Sequence, residues 1–188
     1  CIRDRNIFDS TRRFHGLGDR ERLLLQIAVT LHACGKFISM KNSNECGYTL
    51  IMSTEIIGLS HLEREIIANV VRYNIRDFDY DMMQLETEAG QDLAGVSDRT
   101  AITILIAKLT AILRLANSMD KTHKSKLIDC RMAVREGQLV ITTGYKGDLA
   151  LESASFEQKA AFFEEIFGIR PVLKQKRRVS VSYTHLTL

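Results

Sequence analysis

DRERLLLQIAVTLHACG, residues 19–35, is the stretch of sequence that decides the class of fold. Asp19 is suited to cap a helix at its start, and Gly35 stands where a helix can end. The apolar side chains between them recur at helical spacing, which predicts an amphipathic α-helix with one buried face. That face is predicted to consist of Leu23, Leu24, Ile27, Leu31 and Cys34.

Helices are also predicted on both sides of this stretch. Ile7 and Phe8 lie on a first helix, which is expected to stop near Gly16 and Gly18, because glycine readily takes the left-handed conformation of a helix end. After the polar loop KNSNE, a further helix is predicted around residues 48–57.

Two more helices follow, and the second is the longest. Ser60 and Glu63 form the sequence signature of a capping box, which predicts a helix over HLEREIIANVVRYN. Ser97 and Asp98 start the longest helix. Its buried stripe is predicted to be Ile102, Leu105, Leu109, Ile112 and Leu113.

Beyond Lys126 the hydrophobic period changes from helical to strand-like. LIDCRMAVR and QLVITT are rich in β-branched and apolar residues and flank Glu136-Gly137, a hairpin-turn pair. DLALE is interpreted as a third short strand, FEQKAAFFEEIFG as a helix capped by Ser155, and RPVLK as a closing strand.

These patterns predict a mainly α protein with a small α/β (βββαβ) unit at its C-terminal end. An all-α domain is expected over residues 1–126 and the α/β domain over residues 127–178. Residues 179–188, VSVSYTHLTL, continue neither pattern and are interpreted as a non-native tail.

The composition favours a soluble, cytoplasmic protein. The longest apolar run, residues 101–115, is interrupted by Lys108 and Arg114, so no membrane span is expected. The N-terminus is charged where a signal peptide needs an apolar stretch. The four cysteines are scattered without a CxxC pair, as in a reducing compartment.

The net charge of +3 is too small to indicate a nucleic-acid binder, but the basic residues collect late in the chain. They form two clusters: Lys121, His123, Lys124 and Lys126, and then Lys174, Lys176, Arg177 and Arg178. Such runs are commonly only solvated surface, and the alternative is a track for a polyanion.

Several blocks of the sequence resemble the C-terminal region of the bacterial Ppx/GppA phosphatase family. They are RRFHGLGDRERLLLQIAVTLHACGKFIS, YTLIMSTEIIGLSHLEREIIANVVRYN, AKLTAILRLANSMDKTHKSK and AAFFEEIFGIRPVLKQKRR. The resemblance implies an HD-like helical domain and two N-terminal actin-like domains that hydrolyse inorganic polyphosphate or guanosine pentaphosphate. This sequence contains no glycine-rich phosphate loop, so no catalytic residue is assigned to it.

In HD phosphohydrolases, histidines and aspartates hold metal ions that activate water and neutralise phosphate charge. Here the doublet reads His32-Ala33, so the resemblance implies that the bridging carboxylate is missing. Cys46 stands where many relatives have a histidine.

Two further metal positions are also replaced. Asn74 takes the place of a histidine, and Asn117 takes the place of an aspartate in the block RLANSMD. Asp120 survives, but one aspartate and one histidine do not make a metal site. The resemblance therefore implies a degenerate HD fold with no metal and no cofactor.

Two metal alternatives are weaker. His32, Cys34 and Cys46 could be imagined as a zinc set, but residues two apart on a helix face different directions. Asp77, Asp79, Asp81 and Glu88 match calcium-loop positions, but Met82 stands where the loop needs glycine.

Three functions remain open. The leading one is a non-catalytic accessory domain of an exopolyphosphatase or guanosine pentaphosphate phosphatase, which supports homodimerisation and binds polyphosphate through the basic clusters. The second is a metal-dependent HD phosphohydrolase, and the third is a regulatory or nucleotide-binding module.

Overall fold

The computed structural model describes residues 2–80, 96–124 and 126–176. In these ranges the chain forms seven α-helices, one 3-10 turn and one three-stranded sheet, which confirms the mainly α class with a small α/β unit. The helices are α1 Ile2–Ser10, α2 Arg12–His15, α3 Asp19–Leu31, α4 Ser43–Met52, α5 His61–Tyr73, α6 Val96–Ser118 and α7 Ala150–Phe167. The 3-10 turn is Cys34–Phe37, and the strands are β1 Cys130–Arg135, β2 Gln138–Thr143 and β3 Arg170–Gln175.

Helix α3 lies within the predicted stretch, but its N-cap residue is Gly18 and not Asp19, and it ends at Leu31, before the predicted stop at Gly35. The Gly18 N–H donates to the Glu21 carboxylate at 2.7 Å, which satisfies a free donor at the helix start. The side chains that enter the core are Leu24, Leu25 and Ala28. Of the other residues on the predicted face, Ile27, Leu31 and Cys34 are partly buried against the core and Leu23 is exposed, so the prediction is wrong for Leu23. These four side chains also line a surface cavity.

Helix α4 covers Ser43–Met52 and not residues 48–57. The hydroxyls of Ser53 and Thr54 both donate to the Leu50 carbonyl oxygen, at 3.1 and 2.7 Å, and so terminate the helix locally. The capping box of α5 is confirmed, because the Glu63 N–H donates to Ser60 Oγ and the Ser60 N–H donates to the Glu63 carboxylate.

Helix α6 is the central element of the core. Four of its five predicted stripe residues are buried, and Leu105 is partly exposed. By length and composition, Arg99–Ser118 could cross a membrane, and among the described helices it is the only such segment. However, 61% of it is buried inside the protein, as expected for the core helix of a globular fold.

The sheet has the order β1-β2-β3, with β1 antiparallel and β3 parallel to β2. The predicted hairpin turn is confirmed, since Glu136 and Gly137 have φ values of 50° and 73°. Alternate residues of β2, among them Leu139 and Ile141, are fully buried. Helix α7 connects β2 to β3 and packs against both β3 and α6.

The predicted third strand at DLALE is wrong, so the unit is ββαβ. The Asp148 side chain accepts a hydrogen bond from the Ala150 N–H at 2.8 Å, which turns the chain into α7. From this point the buried residues recur at helical intervals: Leu149, Glu152, Phe156, Ala160, Phe163 and Phe167. Ser155 consequently lies within the helix and does not cap it.

One hydrophobic cluster connects the helical part with the small α/β unit. It contains Ile106 and Leu109 of α6 together with Ile141 of β2 and Phe156 and Phe163 of α7. Helix α7 thus completes the core of the preceding helices. The domain boundary near Lys126 stays a prediction.

Candidate functional site

A cleft of about 570 Å³ lies where α3, α6, α7 and the segment after α5 meet. Its described lining combines polar and cationic side chains with Val29 and Ile75. The polar and charged members are Arg3, Thr30, His32, Lys36, Asn74, Arg114, Asn117, Ser118, Asp120, Lys121, His123, Ser155, Gln158 and Lys159.

Four of the six HD positions line this cleft: His32, Asn74, Asn117 and Asp120. Asn117 Nδ2 donates to Asn74 Oδ1 at 3.1 Å, and His32 Nδ1 lies 2.6 Å from the Val29 carbonyl oxygen. His32 and Asn117, which are 85 positions apart in the chain, thus line the same cleft.

The remaining two HD positions lie elsewhere. Ala33 precedes the 3-10 turn, Cys46 lies within α4, and neither lines the cleft. In the part of the chain that the structure describes, no three His, Cys, Asp or Glu side chains come together as metal ligands would.

Asp120, the surviving carboxylate, forms an ion pair with Arg3. Arg3 Nη2 lies 2.8 Å from Asp120 Oδ2, and both side chains are largely buried. A guanidinium therefore stands beside the one aspartate that the HD resemblance leaves in place. This arrangement cancels much of the negative charge in the cleft.

The first basic cluster is divided by the structure. Lys121 and His123 line the cleft, and Lys124 is exposed to solvent. Lys126 instead donates to Glu152 Oε2 at 3.1 Å and to the Asp148 carbonyl oxygen at 3.0 Å. Because its charge is already paired, Lys126 is poorly placed to contact a polyanion.

Glu152 anchors this pairing at the start of α7. Its side chain is fully buried and also accepts a hydrogen bond from the Thr122 hydroxyl. Burial raises the pKa of Glu152, but the bonds from Thr122 and Lys126 outweigh burial and hold it below its usual value.

The two described members of the second basic cluster do not line the cleft. Lys174 and Lys176 are exposed at the end of β3. Gln175 between them donates to the carbonyl oxygens of Tyr145 and Gly147, in the loop that also receives the Lys126 bond. Arg177 and Arg178 lie outside the described residues.

Four cations of the cleft were not predicted from the sequence: Arg3, Lys36, Arg114 and Lys159. Each comes from a different element, so no charge cluster in the sequence marks them. Arg114 alone carried a signal, because it interrupts the long apolar run of residues 101–115.

The Arg114 guanidinium is held in a fixed position. Its Nε donates to the Tyr73 carbonyl oxygen at 2.8 Å, and its Nη2 donates to the Arg76 carbonyl oxygen. It also stacks on Phe162, 4.5 Å from the ring centroid. These contacts place a buried cation at the wall of the cleft.

Lys159 on α7 faces the same cationic surroundings. Burial lowers the pKa of Lys159, Arg114 and Lys121 lower it further, and Asp77 acts in the opposite direction. The lowered pKa of Lys159 therefore arises first from burial, with two cations and one carboxylate acting on it in opposite directions.

A second cavity of about 650 Å³ lies between α3 and α4. It is lined mainly by apolar side chains, including Leu23, Ile27, Leu31 and Cys34. Burial raises the pKa of the Cys34 thiol. Because Cys34 lines this cavity and His32 lines the cationic cleft, the two do not form a zinc set.

The acidic segment after α5 is held by aromatic contacts. Phe78 packs on Tyr73, Tyr80 and Phe162, with ring centroids 4.8–5.4 Å apart. The calcium-loop interpretation needed Asp81 and Glu88, which lie outside the described residues.

Comparison with known families agrees with this architecture. The model of the Ppx/GppA phosphatase family, domain III, matches residues 5–160. Among curated proteins, no relative matches the sequence. The family match covers most of the helical part and α7, and it describes one domain of a multi-domain phosphatase. The chain therefore belongs to the Ppx/GppA phosphatase family, in which it corresponds to domain III, the C-terminal domain.

Proposed function

We propose that this chain is a non-catalytic accessory domain of a cytoplasmic Ppx/GppA phosphatase, which binds polyphosphate and contributes to a homodimer. The observation that carries the proposal is the cationic cleft at the former metal positions. An HD hydrolase needs several converging carboxylates and imidazoles there, whereas the described lining of this cleft has one carboxylate, already paired with Arg3, and five lysine or arginine side chains.

Polyphosphate binding is supported by the positions of the basic residues. Lys121 and His123 open into the cleft, while Lys174 and Lys176 remain exposed on the α/β unit. A long polyanion could contact both groups, whereas orthophosphate could reach only one. The N-terminal actin-like domains of the parent protein would then carry out the hydrolysis.

Titration with long-chain polyphosphate at several salt concentrations tests this function. Each neutralised phosphate should contribute a log–log slope of about −0.7, by analogy with single-stranded nucleic acid. An assumed four to six contacts then weaken binding by roughly 50- to 350-fold between 50 and 200 mM salt. A flat salt dependence, or no binding at 50 mM salt, would contradict the proposal.

The absence of catalysis is tested separately. We expect no stoichiometric transition metal in the purified protein and no hydrolysis of phosphate esters or anhydrides. Elemental analysis and phosphate release measure these two properties. About one metal equivalent together with activity that chelation abolishes would instead favour the metal-dependent phosphohydrolase.

Exposed apolar side chains support the dimer. Phe37 and Ile57 are 95% and 101% exposed, and Met40 is exposed as well. Burying such side chains between two copies would remove apolar surface from water. Light scattering at micromolar concentration tests association, and a strict monomer both for the parent protein and for this chain would contradict it.

A further inference from the structure

The charge of the cleft is concentrated where phosphate would have to be neutralised. Five of its described lining residues are lysine or arginine, and Asp120 is the single acidic one among them. Because Asp120 is already paired with Arg3, the other four cations have no carboxylate within the described lining of the cleft. The lining itself therefore carries excess positive charge, and Asp77, which acts on Arg114 and Lys159 from outside the lining, offsets part of it.

These cations surround the cleft from different elements. Lys36 comes from the 3-10 turn, Arg114 from α6, Lys121 from the segment after it and Lys159 from α7. A ligand in the cleft would meet positive charge from several elements at once. A surface patch on one helix cannot do this, and low-dielectric walls strengthen such a field.

The cleft also offers neutral hydrogen-bond donors. The Asn117 amide donates to Asn74 Oδ1, which leaves the Asn74 amide N–H groups available, and Ser155 and Gln158 of α7 add a hydroxyl and an amide. Phosphate oxygens accept bonds from such groups. The volume of about 570 Å³ lies within the range of small-molecule pockets.

We propose that this cleft binds a short oligophosphate group directly on Lys36, Lys121 and Lys159, without a metal ion. In HD enzymes a metal neutralises the phosphate charge, and here the lysines and Arg114 take over that task. The inference rests on the proposed function for the class of ligand and adds a discrete one-to-one site. The oligophosphate is either the end of an inorganic polyphosphate or the phosphate chain of a nucleotide.

Calorimetric titration of the 188-residue protein with tripolyphosphate, ATP, GTP and orthophosphate in the presence of EDTA tests the inference. We expect saturable binding of tripolyphosphate at one equivalent and much weaker binding of orthophosphate. Tighter binding of one nucleotide than of tripolyphosphate would identify the nucleotide as the source of the phosphates. Equal or weaker nucleotide binding would identify inorganic polyphosphate.

Matched double variants separate a built site from net charge. Lys121→Ala/Lys159→Ala should weaken tripolyphosphate binding about 10- to 100-fold, because two charge-assisted contacts are lost. Lys41→Ala/Lys146→Ala removes the same charge from exposed lysines outside the cleft lining and should change it less than about twofold. Lys36→Ala, an exposed position in the 3-10 turn, should also weaken binding and does not depend on the folding of α7.

Three results would overturn the inference. Equal weakening by both double variants would mean that only net charge matters. Tripolyphosphate binding that EDTA abolishes would mean that a metal ion mediates it. If long polyphosphate binds with a steep salt dependence and tripolyphosphate does not bind, the discrete site is wrong and the proposed function remains.

Discussion

Replacing Lys126 by methionine should strongly destabilise the protein, although lysine is ordinarily a surface residue. Methionine keeps the apolar stem of the side chain and removes the charge. It leaves the fully buried Glu152 with the Thr122 hydroxyl but without its cationic partner. An uncompensated buried carboxylate is among the costliest defects in a folded protein.

The magnitude follows from the surroundings of the pair. Removing one partner of a buried ion pair costs about 3–5 kcal/mol. Lys126 keeps 14% of its side chain exposed, and Thr122 still donates to the carboxylate, so we expect about 2–3 kcal/mol. At this chain length each kcal/mol lowers Tm by about 2–4 °C, which gives a decrease of about 4–12 °C.

Guanidinium unfolding at pH 7 measures this effect, with Lys124→Met as the matched control. Lys124 is exposed, so its replacement should change the free energy of unfolding by less than about 0.5 kcal/mol. The double variant Lys126→Met/Glu152→Gln should lose about 1–2 kcal/mol less stability than the sum of the losses in the two single variants. If Lys126→Met is as stable as Lys124→Met, the ion pair does not stabilise the junction and the reasoning is refuted.

Three further predictions concern the rest of the fold. The hydrogen bond from Arg20 lowers the pKa of Glu63 from 4.5 to about 2. The ionised Glu63 carboxylate therefore contributes its full stability above pH 4.5, and this contribution is lost as pH falls towards 2. Wild type should therefore lose more stability than Glu63→Gln between pH 5 and pH 2.5 in urea titrations, and equal losses would contradict this. A Cβ at Gly35 would lie 1.9 Å from the Ser43 carbonyl oxygen, so Gly35→Ala should prevent native folding, which circular dichroism measures. The control Gly16→Ala has open space around the new Cβ and φ +66°, and it should cost only about 1 kcal/mol. Phe163→Ala should lower the free energy of unfolding by about 3–5 kcal/mol, and a loss below about 1 kcal/mol would show that the ring is not part of the core.

Part of the site was visible in the sequence through the family resemblance. His32, Asn74, Asn117 and Asp120 were expected to mark a former metal centre, and they line one cleft. The same reasoning grouped Lys126 with Lys121, because both belong to one basic run. Sequence proximity does not determine direction, and Lys126 points to Glu152 instead.

Two errors in the fold concern segments whose buried side chains are determined by tertiary packing. DLALE is three apolar residues between two acidic ones, and so short a run fits a strand as well as the first turn of a helix. The hydrogen bond from the Ala150 N–H to the Asp148 side chain and the burial of Leu149 and Glu152 decide for the helix. The face of α3 was also misjudged, because Leu23 lines an open cavity whose existence depends on where α4 packs.

The sequence by itself determined the features whose energies are local. The capping box of Ser60 and Glu63, the left-handed stop at Gly16 and the hairpin turn at Glu136-Gly137 each depend on neighbours within a few residues. Only the tertiary structure decided the cationic cleft. Arg3 meets Asp120 across 117 positions of chain, a convergence set by the packing of α1 against α6 that no local pattern encodes.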